Sequence, residues 1–223
     1  YTTPARGLAA PTSDTDTERS TVSGPFGPVF KRNQALRKAQ AIANVEFLLY
    51  EISLQFPSEP LRWLDLGCGD GTIVNNVRPN RYTAAPVRAV GVEASPALVA
   101  EARSAAGPDR EFFQGDARDL PRDLCAHGFH LITACEFLEH LFDPLAVLAE
   151  IRPLCRGMLL AGSPLAEPVG FRTDPAHIWS FRRRGYERMF ELSGYRPIYG
   201  FETFVGSYHG GHDWLTVVAR PEA

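Results

Sequence analysis
Between Phe30 and Phe56, apolar side chains recur at intervals of mostly three or four, at Leu36, Ala39, Ala43, Phe47, Leu48, Tyr50, Ile52 and Leu54. This spacing predicts an amphipathic helix over 30–56, ended by Pro57 and Pro60. Beyond Pro60 the rhythm changes. Short apolar runs at 61–66, 87–92, 110–114, 129–134 and 157–162 predict strands, and the stretches 71–77, 96–106, 118–124 and 144–154 between them predict helices. Ser95-Pro96 marks one helix start, because serine caps and proline is tolerated in a first turn. Strand and helix in alternation predict a parallel sheet with helices on both faces. The tail departs from this. A helix at 182–193 ends at Ser193-Gly194, and strands at 196–205 and 214–220 close the chain as a hairpin around Gly206–Asp213.

Residues 1–25 carry nine Ser/Thr, three Pro and two Gly and almost no large apolar side chains, too little to offset the entropy of ordering. The chain therefore divides into an extended arm, 1–29, and one α/β domain, 30–223, with the 30–56 helix as an N-terminal lid. A length of 223 residues suits one well-buried domain. A net charge of −3 provides no global basic field for nucleic acid. No apolar run approaches the ~20 residues that span a bilayer. Cys68, Cys125, Cys135 and Cys155 form no CxxC pair, which fits reduced thiols in a cytoplasmic protein.

The densest chemistry lies at Leu64-Asp65-Leu66-Gly67-Cys68-Gly69-Asp70-Gly71, after a strand and before a helix. Gly67 and Gly69 can adopt backbone angles closed to other residues and let a ligand approach the main chain. The carboxylates of Asp65 and Asp70 argue against a phosphate ligand and suit one that carries an ammonium group. The segment resembles the cofactor loop of class I S-adenosylmethionine-dependent methyltransferases. Strand ends further along strengthen the likeness, because open α/β sheets bind ligands beyond the carboxyl ends of their strands. The second strand ends at Glu93, 22 residues past Gly71, placed to accept from ribose hydroxyls. The third ends before Asp116-Ala117, which resemble the family's adenine-reading pair. The fourth ends at Cys135-Glu136, facing the methionine part of the cofactor. The resemblance covers about residues 40–220 and implies a seven-stranded, mostly parallel Rossmann-like sheet whose last strand is antiparallel. It assigns cofactor contacts to Asp65, Gly67, Cys68, Gly69, Glu93, Asp116, Ala117 and Glu136.

Glu136, Glu139 and His140 fall at i, i+3 and i+4 and would share one face of a helical turn. With a free-imidazole pKa near 6.5, His140 is the natural general base for an acceptor hydroxyl. The Glu-x-x-Glu-His pattern with a later His177 also resembles the Mg²⁺/Mn²⁺ site of small-RNA 3′-terminal 2′-O-methyltransferases. That likeness makes Glu136, Glu139, His140 and His177 candidate ligands of a divalent metal, with His177 a second candidate for assisting deprotonation. Tyr208, His209, His212 and Asp213 are expected near the substrate mouth, whereas Arg182, Arg183, Arg184 and Arg188 read as a solvated face.

The expected activity is transfer of a methyl group from S-adenosylmethionine to a small-molecule acceptor, at a hydroxyl oxygen of a natural-product-type scaffold. The alternatives are a metal-assisted RNA 2′-O-methyltransferase and a cofactor-binding subunit without transferase activity. Expected partners are a small molecule and, in a homodimer, a second copy, rather than nucleic acid or a membrane.

Overall fold
In the computed structural model the described residues are 27–79, 85–165, 176–204 and 213–222. Helix α1 (Gly27–Gln55) precedes strand β1 (Leu61–Leu66), α2 (Thr72–Asn76), β2 (Val87–Glu93), α3 (Pro96–Ser104) and β3 (Arg110–Gln114). Then come α4 (Arg122–Cys125), β4 (Phe129–Cys135), a 3₁₀ turn (Leu138–His140), α5 (Pro144–Ile151), β5 (Cys155–Pro164), α6 (Arg183–Leu192), β6 (Tyr195–Phe204) and β7 (Asp213–Pro221). The seven strands form one sheet in the order β3-β2-β1-β4-β5-β7-β6. β1 to β5 pair in parallel, and β7 lies antiparallel between β5 and β6. This is the seven-stranded Rossmann-like arrangement that the resemblance implies, its parallel part already expected from the strand–helix alternation.

Strand alternation divides the core. Leu61 and Trp63 of β1, Leu131 of β4 and Met158 and Leu160 of β5 face a layer holding Val45, Leu48, Leu49 and Ile52 of α1 with Val99 and Ala102 of α3. Their neighbours Leu64, Leu66, Ile132, Ala134, Leu159 and Ala161 face the opposite layer, with Val147 and Leu148 of α5 and Tyr186 and Phe190 of α6. Both faces are covered, so the central strands read as continuous apolar runs rather than alternating ones. All four cysteines are free thiols. Among the described residues no helix is long and apolar enough to cross a membrane.

Several boundaries differ from expectation. α1 begins at Gly27, so the last three residues of the expected arm join the helix; residues 1–26 lie outside the described set. The helix expected at 118–124 shrinks to one turn at Arg122–Cys125. Pro121 delays its start, and Asp116 instead closes a turn by accepting from the Arg118 N–H. The 144–154 helix changes to 3₁₀ geometry after Ile151, where Pro153 removes a donor. The loop positions Tyr208, His209 and His212, and the side chain of Asp213, lie outside the described residues.

Candidate active site
The glycine turn is built from backbone. Gly67 N–H and Cys68 N–H both donate to the Val92 carbonyl, at 2.9 and 3.1 Å, tying the turn across β2. Gly67, Gly69 and Gly71 have φ of 67°, 55° and 71°, in the left-handed region where only glycine sits without strain. A Cβ at Gly67 would run into the Phe137 ring, whereas one at Gly69 would meet none of the described residues within 4 Å. Gly69 thus presents bare backbone to open space.

That space is a cavity of about 800 Å³ at the carboxyl ends of the strands. Gly67, Cys68, Gly69 and Asp70 form one wall, Glu93 and Gly115–Ala117 another, and Cys135–Phe137 with His140 and Leu141 a third. α1 borders it with Arg37, Lys38, Ala41 and Asn44. The Glu93 carboxylate accepts from Gly69 N–H at 3.1 Å and Ser95 N–H at 2.9 Å, which fixes it beside the turn. Asp116 accepts from the Arg118 guanidinium at 2.7 Å, and these hydrogen bonds hold its carboxyl well below the usual range. Both acids therefore present fixed acceptor atoms to a ligand.

Asp65 is placed differently. It is buried beneath the turn, off the cavity wall, and accepts from Thr133 Oγ1 at 2.5 Å; Thr133 in turn accepts from Trp63 Nε1 at 2.8 Å. Burial, with the nearby negative charge of Glu93 as a smaller cause, pushes its carboxyl up to about 7 despite the Thr133 hydrogen bond. Cys68 and Cys135 sit on the cavity wall, but burial raises both thiols far from reactivity.

The shared helical face expected for Glu136, Glu139 and His140 does not form. Glu136 takes φ 54°, and the 3₁₀ turn starts only at Leu138, so Glu136 turns away from the other two. Its carboxylate lies 3.6 Å from Arg37 Nε. Glu139, His140 and His177 do converge: their ligand-type atoms lie within 4.8 Å of one another, and the two imidazoles meet edge to face. Among the described residues this is the only such group, and it excludes Glu136. One carboxylate and two imidazoles suit a divalent transition metal by donor type. His140 lines the cavity, whereas Glu139 and His177 stand behind it. Its Nδ1 lies 3.3 Å from the Ala176 carbonyl. A carbonyl only accepts, so this contact favours the proton on Nδ1.

Several wall residues carry no sequence motif. Arg37 stacks on the Trp214 ring, 4.8 Å from its centroid. Among the described residues its buried Nε has no hydrogen-bond partner, the Glu136 carboxylate standing 3.6 Å away. Lys38 pairs with Asp70 at 3.0 Å, joining α1 to the glycine turn. Trp214, Thr216 and Thr203 come from the closing hairpin. The one signal that could have flagged Lys38 is its rarity, since Lys31 is the only other lysine.

Residues 33–199 match the family described as "Methyltransferase domain". A trans-aconitate 2-methyltransferase of Escherichia coli O7:K1 is 40% identical over 156 residues, covering 69% of this chain and 57% of that protein. The ubiquinone biosynthesis O-methyltransferase of Cereibacter sphaeroides is 32% identical over 126 residues, 54% of this chain and 48% of that protein. The chain spans about half the length of the curated relatives it matches. In fold it is similar to the magnesium protoporphyrin IX methyltransferase of Synechocystis, solved with bound S-adenosylmethionine, at TM-score 0.62 and 14% identity over 91% of this chain and 88% of that one. It is also similar to the [4+2]-cyclase SpnF, at TM-score 0.59 and 16% identity over 80% and 82% of the two chains.

Proposed function
The chain belongs to the methyltransferase-domain family; from that premise we propose that it is an S-adenosylmethionine-dependent methyltransferase that methylates a hydroxyl oxygen of a small-molecule acceptor. The observation that carries this reading is one cavity that joins the ends of β1, β2, β3 and β4 beneath α1. S-adenosylmethionine supplies an electrophilic methyl group on a positively charged sulfur. Glu93 accepts from the ribose hydroxyls, Asp116 and the Ala117 N–H read the adenine, and Gly67, Cys68 and Gly69 offer the backbone approach. Asp65 acts from beneath the turn, through its position rather than by lining the cavity. Arg37 and Glu136 hold the two charged ends of the methionine moiety, its carboxylate and ammonium. An arginine with an unmet donor is suited to a carboxylate, which it can bind through two parallel hydrogen bonds.

His140 withdraws the acceptor proton at Nε2, and the Ala176 carbonyl favours that tautomer. A small-molecule acceptor is supported by the relatives, one named for trans-aconitate and one an O-methyltransferase by name. The net charge of −3 weighs against RNA.

A second reading has its own observation, the convergence of Glu139, His140 and His177. A divalent metal held there would acidify a bound hydroxyl, replacing His140 as the base. Calorimetric titration with S-adenosylhomocysteine, on untreated and EDTA-treated protein with elemental analysis, separates the two. Equal binding without stoichiometric metal supports the His140 base. Stoichiometric metal that is lost in Glu139→Gln or His177→Ala supports the metal. Absence of binding in both samples overturns the cofactor site.

A further inference from the structure
α1 carries apolar side chains on two opposite faces. Val45, Leu48, Leu49 and Ile52 pack into the domain core. On the other side Leu36, Phe47, Tyr50 and Leu54 are 51%, 55%, 38% and 61% exposed. With the exposed Gln40 and Ala43 they recur at intervals of four, three, four, three and four. That alternation averages about 3.5 residues, the spacing of a two-helix seam. At 100° per residue these positions fall within about 80° of the helix circumference and form one stripe about 27 Å long. A helix apolar on both sides is normally covered on both. Scattered exposed apolar residues need no explanation, but large ones in a single line mark an interaction surface.

We propose that this stripe is a dimer interface, with α1 of a second copy laid along it antiparallel. The spacing is palindromic about Val45, so a two-fold axis there makes the stripe complementary to itself. Leu36 then meets the partner's Leu54, Ala43 meets the partner's Phe47, and Gln40 meets the partner's Tyr50. Leucine packs on leucine, phenylalanine on alanine, and the phenol faces an amide able to hydrogen-bond it. Charge sets the direction. Lys31, Arg32, Arg37 and Lys38 lie in the first half of α1 and Glu46 and Glu51 in the second, and neither half holds the opposite sign. This order runs against the helix's own dipole. An antiparallel copy brings acidic half to basic half, whereas a parallel one sets like charges together. The chain's own N-terminal arm is a poor cover, since before Phe26 its large apolar residues are Tyr1, Leu8 and Val22 alone. Leu36 and Gln40 also line the cavity, so the partner's Leu54 and Tyr50 come to its edge at that end. The interface does not depend on which reaction the cavity supports.

Sedimentation equilibrium on the full chain reads the association. A single helix stripe stands at the small end of specific interfaces, so wild type should dimerise reversibly with a Kd on the order of 10 μM. Phe47→Glu and Leu54→Glu should each weaken the dimer at least tenfold. Both side chains are more than half exposed, and unchanged melting temperatures of the dilute variants check their folding. Disulfide trapping reads the geometry. Leu36→Cys mixed with Leu54→Cys should cross-link on mild oxidation, whereas either variant alone should not, because an antiparallel pair holds like positions about 27 Å apart. Wild type controls for the native thiols, all four of which are free. A monomer at every concentration, a dimer that tolerates both glutamates, or any trapping pattern other than the mixed one overturns the proposal. A monomer whose Phe47→Glu variant also melts earlier overturns it in favour of cover by the chain's own arm.

Discussion
Gly67 and Gly69 make a paired experiment, because one methyl group added at each meets opposite surroundings. Both residues have positive φ, at 67° and 55°, so alanine at either position incurs about 1–2 kcal/mol of backbone strain. At Gly69 that is the cost to the unliganded protein, since none of the described residues lies within 4 Å of the new Cβ. At Gly67 the methyl would run into Phe137, and forcing the ring aside adds about 1–3 kcal/mol of overpacking. A chain of this length loses about 2–4 °C of Tm per kcal/mol. Gly69→Ala should then melt about 5 °C below wild type and Gly67→Ala about 10 °C below. Ligand binding discriminates differently. The Gly69 methyl projects into the space assigned to the cofactor, so this milder variant should still lose at least about tenfold in S-adenosylhomocysteine affinity, or about 1.4 kcal/mol. Thermal melts and calorimetric titration on the same preparations read both quantities. Wild-type affinity in Gly69→Ala would show that the turn does not cradle the cofactor, and equal melting of the two variants would show that the Phe137 contact is not the source of the difference.

Three further predictions concern buried groups and the hairpin wall. His130 is buried, accepts from the Arg62 N–H at 3.0 Å through Nδ1, and faces Glu59 and Arg156 at Nε2; burial is the main cause that lowers its pKa. The folded state favours neutral imidazole, so this stabilisation is complete above the unfolded value near 6.5 and lost as pH falls below it; His130→Gln should flatten the acid limb of a Tm-against-pH curve. Asp65 has the opposite sign. Its carboxyl is raised to about 7, so stability declines as pH rises from about 4 toward 7, and Asp65→Asn should gain in Tm relative to wild type between pH 5 and 8; a pH-independent difference would count against the buried-acid assignment. Gly162 leaves room for Trp214, whose Nε1 would lie 2.8 Å from a Cβ there. Gly162→Ala should weaken S-adenosylhomocysteine binding several-fold by displacing the indole under Arg37, and the penalty should shrink in an Arg37→Gln background. Full additivity in that cycle would show that Trp214 does not act through Arg37.

The sheet could be read before any coordinates because its information is local. Leu61–Leu66 and Phe129–Cys135 are apolar runs that only a strand covered on both faces accommodates, and the glycine spacing at 67, 69 and 71 answers to φ angles that side chains oppose. Glu93 and Asp116 could be placed for the same reason, since Glu93 ends β2, Asp116 follows β3 by two residues, and strand ends share one edge of a parallel sheet. The remainder depends on contacts between segments far apart in the chain. Glu136 counts as a helical neighbour of His140 by spacing, yet its left-handed backbone removes it from that face. Asp65 looks equivalent to the other cavity acids by motif, but its side chain descends to Thr133, 68 residues away. Arg37, Trp214 and Lys38 carry no local signature. They meet the cavity because α1 folds back over the strand ends and the antiparallel β7 enters beside β5. Backbone preference and burial period act over a few residues and are written in order along the chain. A wall assembled from an N-terminal helix and a closing hairpin exists only once hydrophobic packing has brought them together.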